Sequence, residues 1–448
     1  MSLMMGVSGV RGLIGGAMTP ELACELGCAF GTSLGGGAVV VGRDSRPSGP
    51  MVQQAYVAGL VSTGCDVVEL GVVSTPGTAM MVRRLEAAGG TVITASHNPI
   101  EWNGIKFLTP DGLAPPPPQA EALYARWRER AFTRVEVHQL GTQTQDNSTH
   151  DQHVNAVLDV VNTQAIAAKR FKVVLDSVNG AGGTGGRRLL EALGCEIVHI
   201  NAEPTGRFAH RPEPLAENLT QLCDAVREHR AVVGFAQDPD ADRLALVDEK
   251  GRYIGEEYTL ALVAKQMFAV KPGPAAANLS TSRMIDDLAA AAGCVVYRSP
   301  VGEANVVEAM RAHGCVVGGE GNGGVIDPRV VPVRDSFSAM ALVLELLART
   351  DRTLSGVVDE IPRYAMVKEK FEVDRARIDR VLAAVRDTFA GERIDDADGI
   401  RIDFDAGWVH VRPSNTEPII RIIGEGRDAD AAMALIGRIR AVTDPLLA

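Results

Sequence analysis

The sequence predicts an α/β protein built from three related α/β domains with mixed sheets, followed by a smaller C-terminal α+β domain. Two observations carry this reading. One local pattern occurs three times: a helix-like apolar stretch runs into Gly-Cys and then a short β-branched strand, at Gly64-Cys65-Asp66-Val67-Val68, Gly194-Cys195-Glu196-Ile197-Val198 and Gly293-Cys294-Val295-Val296. Upstream of each lies another strand-and-turn candidate, so strand, helix and strand follow in order, the signature of a βαβ unit. The second observation is a change of pattern near the end, where short alternating strands replace the βαβ repeat.

In the first repeat, residues 38–41 form the upstream strand and Gly42-Arg43-Asp44-Ser45-Arg46 its turn. Residues 171–175 with Asn179-Gly180, and 276–279 with Thr281-Ser282-Arg283, take those places in the second and third. Each Gly ends a helix, and the Cys after it is a small apolar residue opening a buried strand. In the last segment, 399–404 alternates, Asp405-Ala406-Gly407 turns, 408–411 and 418–423 resume as strands, and 428–442 has helical periodicity. Polar stretches place the domains at residues 1–150, 151–255, 256–366 and 367–448. The four prolines 115–118 read as a rigid extended loop inside the first domain.

The chain has 448 residues and a formal charge of -11, with no long basic run. That disfavours general affinity for nucleic acid or an anionic membrane surface. Glycine and proline break every apolar run before the ~20 residues of a membrane span, and the N-terminus lacks a charged leader, so a cytoplasmic protein is expected. The seven cysteines show no paired CxxC spacing, which suggests neither disulfides nor a zinc site, and Cys24 and Cys28 read as core residues.

Four segments carry chemistry. Thr94-Ala95-Ser96-His97-Asn98-Pro99 follows an apolar strand and presents Ser96 on a loop at a strand end. His97 could handle its proton and Lys106 could neutralise a phosphate; an ordinary strand-to-turn loop is the alternative. Asp238-Pro239-Asp240-Ala241-Asp242-Arg243 sets three carboxylates at alternating positions, able to converge on one hard cation while leaving coordination places open for a phosphate oxygen. An EF-hand is excluded because Arg243 stands where its turn needs glycine and the flanks read as strands; a solvated acidic turn stays open. Arg412-Pro413-Ser414-Asn415-Thr416-Glu417-Pro418, with Arg421 beyond, suits a phosphate that is held rather than attacked. The glycine-rich run 318–324 places Glu320 and Asn322 where they could read a polyol.

One further segment, Gly180-Ala181-Gly182-Gly183-Thr184-Gly185 with Glu203 downstream, matches the dinucleotide-binding pattern. It keeps a dinucleotide-dependent oxidoreductase as a remote alternative. The same glycines would equally serve a tight turn and close helix packing.

Together these segments, in this order, resemble the α-D-phosphohexomutase family of phosphoglucomutases, phosphomannomutases and phosphoglucosamine mutases. Gly6-Val7-Ser8-Gly9-Val10-Arg11-Gly12 looks like the family's first active-site segment. The resemblance implies four domains around a central cleft and a cytoplasmic monomer or homodimer acting on a phosphosugar. It implies a phosphoserine at Ser96, and Mg²⁺ held by Asp238, Asp240, Asp242 and the Ser96 phosphate. Arg11, Lys106 and Arg243 would steady the transferring group, with Lys106 or His97 as general acid/base. Glu320 and Asn322 would read sugar hydroxyls, and Arg412, Ser414, Asn415 and Thr416 would grip the other phosphate. A hexose 1,6-bisphosphate would be both intermediate and activator. Glu303, at a place where many relatives carry His or Asp, adds a second acid near Glu320 and favours an ammonium at C2. Phosphoglucosamine mutase is therefore the expected activity, with a bifunctional phosphomannomutase/phosphoglucomutase as alternative.

Overall fold

The computed structural model describes residues 3–413 and 419–447. They form two compact units: Met1–Gln266 with Asn322–Val358, and Met267–Gly321 with Asp359–Ala448. Among the described residues no helix is long and apolar enough to cross a membrane.

The first unit holds two mixed sheets. In the larger, the parallel strands Gly37–Arg43, Cys65–Val72 and Gly89–Ile93 continue into Trp102–Leu108, antiparallel to Gly89–Ile93. Gly9–Leu13 then pairs with Trp102–Leu108, and Gln143–Gln145 closes the far edge beside Cys65–Val72. Val39, Val40, Val41, Val92, Ile93, Ile105 and Phe107 are buried. Such near-continuous apolar runs belong to strands covered by helices on both faces. The second sheet runs Leu244–Asp248, Val233–Gln237, Lys172–Asp176, Glu196–Ile200, parallel except for its first strand. The hairpin between Val233–Gln237 and Leu244–Asp248 carries the three aspartates.

The second unit holds the parallel strands Ala275–Asn278, Val296–Ser299 and Val317–Glu320. It also holds a five-stranded antiparallel sheet with the helices Arg375–Thr388 and Ala429–Leu447. The three Gly-Cys repeats are the three βαβ crossovers, around helices Gly49–Val61, Gly182–Ala192 and Met284–Ala291. Gly64, Gly194 and Gly293 share a φ of 66–83°, the left-handed conformation that ends a helix or starts a turn at little steric cost. Cys65 is buried, while Cys195, Cys294 and Cys24 are only half-buried.

The proline run differs from the expected loop. Pro117 and Pro118 open the helix Pro117–Arg128, because the first turn needs no backbone N–H and the ring's fixed φ is already helical.

Candidate active site

Ser96 sits on the connection between Gly89–Ile93 and Trp102–Leu108, and its backbone is left-handed, with φ of 50°. For a residue with a Cβ this conformation costs about 1–2 kcal/mol, so the surroundings must impose it. The Asp44/Arg46 pair does so. Arg46 is wholly buried, and its guanidinium donates to Asp44 Oδ2 (3.0 Å) and to the carbonyls of Ser96 (2.7 Å), Asn98 (2.6 Å), Pro99 (2.6 Å) and Trp102 (3.0 Å). Thr94 Oγ1 donates to Asp44 Oδ2 (2.6 Å) and accepts from Ser96 N (2.9 Å). The turn after the first strand thus clamps the serine loop.

The clamped loop delivers Ser96 Oγ to the aspartates. Ser96 Oγ donates to Asp238 Oδ2 at 3.0 Å and lies 3.4 Å from His97 Nδ1. Asp238, Asp240 and Asp242 are all buried and offer ligand oxygens within 4.8 Å of one another. Each carboxylate is already oriented by donors. Asp238 Oδ1 accepts from the backbone N–H of Asp242 and of Arg243, both 3.1 Å. Asp240 Oδ2 accepts from Lys106 Nζ and Thr75 Oγ1, both 2.6 Å. Asp242 Oδ2 accepts from an Arg334 guanidinium nitrogen at 2.6 Å and from Lys106 at 3.4 Å.

The other oxygens, Asp240 Oδ1 and Asp242 Oδ1, are buried without a hydrogen-bond partner. Arg243 Nε stands 4.0 Å from Asp242 Oδ1, beyond hydrogen-bond reach. Two orphaned carboxylate oxygens in one buried cluster are what a bound divalent cation would satisfy. The donor set therefore fits a hard metal ion.

Charge is graded across the cluster. Burial, reinforced by Asp240 and Asp242, raises the Asp238 carboxyl well above the usual range. Burial also opposes ionisation of Asp240, but Lys106 and Thr75 outweigh it and hold that carboxyl low. Burial works against the Lys106 ammonium, yet Asp240 and Asp242 raise its pKa, so it stays charged. His97 is pushed down to about 3 by burial and then by Arg243 and Arg11, which leaves a neutral imidazole. Arg11 completes this side: it donates to Asn98 Oδ1 at 3.1 Å and approaches the Ala95 carbonyl at 3.5 Å.

In the second unit, Glu320 is buried and accepts from Asn278 Nδ2 (2.8 Å) and from Gly302 N (3.2 Å). Gly302 directly precedes Glu303, the first residue of helix Glu303–His313. Val301 N donates to Asp398 Oδ2 (3.0 Å), which also meets Arg412 Nε (3.1 Å). The segments bearing Glu303, Glu320 and Arg412 are thereby joined. Arg421 is exposed on the strand Ile419–Gly426, opposite Arg412 in the ladder. Ser414, Asn415 and Thr416 lie outside the described residues. Asn322 belongs to the first unit, where its Oδ1 accepts from Gly324 N (3.2 Å).

Comparison with known sequences matches four successive profiles of phosphoglucomutase/phosphomannomutase. They are alpha/beta/alpha domain I over residues 2–134, domain II over 151–251, domain III over 256–364 and the C-terminal domain over 365–442. The chain belongs to this family. A phosphoglucomutase/phosphomannomutase from Thermococcus kodakarensis is 39% identical over 441 residues, covering 96% of each chain. A "Probable phosphoglucosamine mutase" from Methanopyrus kandleri is also 39% identical, over 443 residues, covering 96% of this chain and 95% of the relative. The crystal structure of a phosphoglucomutase/phosphomannomutase family protein from Burkholderia thailandensis superposes with a TM-score of 0.88 at 28% identity, over 99% of this chain and 98% of that one.

Membership makes the chain a phosphohexomutase, an enzyme of the isomerase class. It also removes the dinucleotide alternative, and the structure supplies the reason for the glycines. A Cβ on Gly182 would lie 2.5 Å from Gln237 Oε1 and 2.7 Å from Ala241 Cβ. The glycine-rich helix start is thus packed against the aspartate hairpin. Two site residues had no sequence signal: Thr75 and Arg334 meet the aspartates from 165 and 92 positions away.

Proposed function

We propose that this phosphohexomutase interconverts hexose 1-phosphates and hexose 6-phosphates through a phosphoserine at position 96 and a hexose 1,6-bisphosphate, with glucosamine as the preferred sugar. The observation that carries the reading is the 3.0 Å contact of Ser96 Oγ with Asp238 inside a buried three-aspartate cluster. A nucleophile held there, on a strained and clamped loop, sits where a phosphoryl group and a metal ion would share ligands.

Asp238, Asp240 and Asp242 would hold Mg²⁺ together with a phosphate oxygen on Ser96. When bound, that ion supplies charge neutralisation on the transferring group. Arg11, Lys106 and Arg243 surround the same volume with positive charge and would steady the group as its charge spreads. Lys106 stays protonated and can give a proton to Ser96 Oγ as the group leaves; the neutral His97 can accept one from the attacking sugar hydroxyl. Hydrogen-bonding to sugar hydroxyls falls to Glu320 and Asn322. The phosphate not being transferred falls to Arg412, Ser414, Asn415 and Thr416, with Arg421 opposite Arg412 in the ladder. Domain limits near residues 150, 255 and 367 and a cytoplasmic location go with this proposal, as does activation by hexose 1,6-bisphosphate.

The preference for glucosamine rests on Glu303 and Glu320, whose segments meet through Gly302 N. Two acids there favour an ammonium substituent over a hydroxyl. The relatives support both readings, since the phosphoglucomutase/phosphomannomutase and the "Probable phosphoglucosamine mutase" are each 39% identical. A bifunctional phosphomannomutase/phosphoglucomutase is accordingly the second reading. The test is the isomerisation rate of glucosamine, glucose and mannose phosphates with Mg²⁺ and trace hexose bisphosphate, in wild type and Ser96→Ala. Collapse of turnover in the variant is expected, with kcat/KM highest for glucosamine phosphate. Wild-type-like turnover in Ser96→Ala would remove the phosphoserine, and a higher kcat/KM for mannose or glucose phosphate would select the second reading.

A further inference from the structure

We propose that Arg334 is a positioning residue for Asp242: it holds one carboxylate oxygen so that the other is presented to the metal ion, and Gly324 keeps open the path its side chain takes. This rests on the reading of the aspartates as a metal site.

Asp242 divides its two oxygens. Oδ2 takes Arg334 at 2.6 Å and Lys106 at 3.4 Å, whereas Oδ1 is buried without a hydrogen-bond partner. Asp240 shows the same division, with Lys106 and Thr75 on Oδ2 and an orphaned Oδ1. A carboxylate held at one oxygen by a directional donor has lost the rotation that would otherwise be frozen when a metal binds.

Arg334 is itself held. The next residue, Asp335, caps helix Ser336–Thr350 by accepting from Phe337 N (3.0 Å) and Ser338 N (3.2 Å), and it pairs with buried His153 at 3.0 Å. Asp335 N donates to the Val325 carbonyl at 2.8 Å. Ser336 Oγ donates to the Ala241 carbonyl at 2.8 Å, tying this helix start to the aspartate hairpin. From that base the Arg334 side chain crosses Gly324 so closely that a Cβ there would lie 2.1 Å from Arg334 Cδ and 2.9 Å from Cγ. Gly323 O accepts from Leu244 N at 3.0 Å, which fixes the glycine segment to the same hairpin. The residues after Asn322 therefore tie the glycine-rich run to the aspartate hairpin and shape the channel for the arginine that orients Asp242.

Two roles for Arg334 predict opposite signs. A mere counter-charge would compete with the cation, and its removal would tighten metal binding. A positioning residue would weaken binding when lost, by about 10–100-fold as for other partners of metal ligands. The full-length chain, stripped with chelator, is titrated with Mn²⁺, and free ion is read by electron paramagnetic resonance. We expect one Mn²⁺ site in wild type and about 10–100-fold weaker binding in Arg334→Met. Gly324→Ala should weaken binding in the same direction, and the Gly324→Ala/Arg334→Met double variant should be no weaker than Arg334→Met alone. Unchanged or tighter binding in Arg334→Met overturns the inference, as does a Gly324→Ala effect that adds in full to it. Absence of a site in wild type, or wild-type affinity in Asp240→Asn, overturns the metal reading as well, which separates the two failures.

Discussion

Replacing Arg46 by lysine keeps the charge beside Asp44 and removes donors. The guanidinium has five N–H groups, and each has an acceptor: Asp44 Oδ2 and the Ser96 carbonyl, both buried, and the part-buried carbonyls of Asn98, Pro99 and Trp102. Lysine offers three, so at least two of the five acceptors lose their partner. A buried acceptor left empty costs about 1–3 kcal/mol and a part-buried one less, because water can replace the donor, so a loss of about 1–3 kcal/mol is expected against a domain's usual 5–15 kcal/mol. Because three of the orphaned candidates belong to the serine loop, its left-handed turn at Ser96 should loosen too. A displacement on the order of 1 Å at a reacting group costs about 10²-fold in rate. Urea denaturation followed by tryptophan fluorescence, beside kcat at saturating substrate, measures both effects in Arg46→Lys. A stability loss under about 1 kcal/mol with kcat within about twofold of wild type would refute the clamp, since the shorter donor set of lysine would then have satisfied the loop with fewer bonds.

Two further outcomes follow from packing and burial. Gly182→Ala should push on Gln237 and Ala241 and weaken Mn²⁺ binding at the aspartate hairpin, while NAD⁺ leaves the thermal midpoint of the wild type unmoved; an NAD⁺-induced rise would restore the dinucleotide reading. His410 is lowered to about 4, mainly by burial, against 6.5 in the unfolded chain. The unfolded chain therefore takes up the proton first as pH falls. The contribution of His410 to stability should be full above pH 6.5 and fall by up to about 3 kcal/mol as pH drops toward 4. His410→Gln should flatten that slope in pH-dependent urea denaturation, and an unchanged slope would assign the loss to other groups.

What the sequence made legible was local. The βαβ repeat shows in Gly-Cys because a helix end and a strand start are adjacent in the chain. The aspartate hairpin shows because its three carboxylates lie within five residues. What it hid was distant or written in the backbone. The four carbonyls that Arg46 binds carry no residue identity. Thr75 looks like any helix-start threonine until Ser74 caps the helix and turns the Thr75 hydroxyl toward Asp240. Arg334 stands in Val-Val-Pro-Val-Arg-Asp with no motif around it, and its partner belongs to another sheet's hairpin. The GxGxxG segment misled for a related reason: its pattern records tight approach, and only the fold reveals that the approaching group is Ala241 rather than a pyrophosphate.

The first unit is assembled from two separated stretches of chain, and this sets a timetable for its synthesis. A ribosome completes the three aspartates well before it reaches Arg334. At about 5–20 residues per second, the nascent chain waits roughly 5–20 s with Asp242 lacking its strongest partner. During that interval, closing the hairpin would bury the Asp242 carboxylate with Lys106, at 3.4 Å, as its remaining side-chain hydrogen-bond donor. The amino-terminal sheets can form in that time, but the aspartate pocket waits for Arg334 and for the helix Ser336–Thr350 that follows it. A chain cut short anywhere before residue 334 should leave that pocket open to water and to proteases, so an unfinished copy would not compete for metal with a finished one.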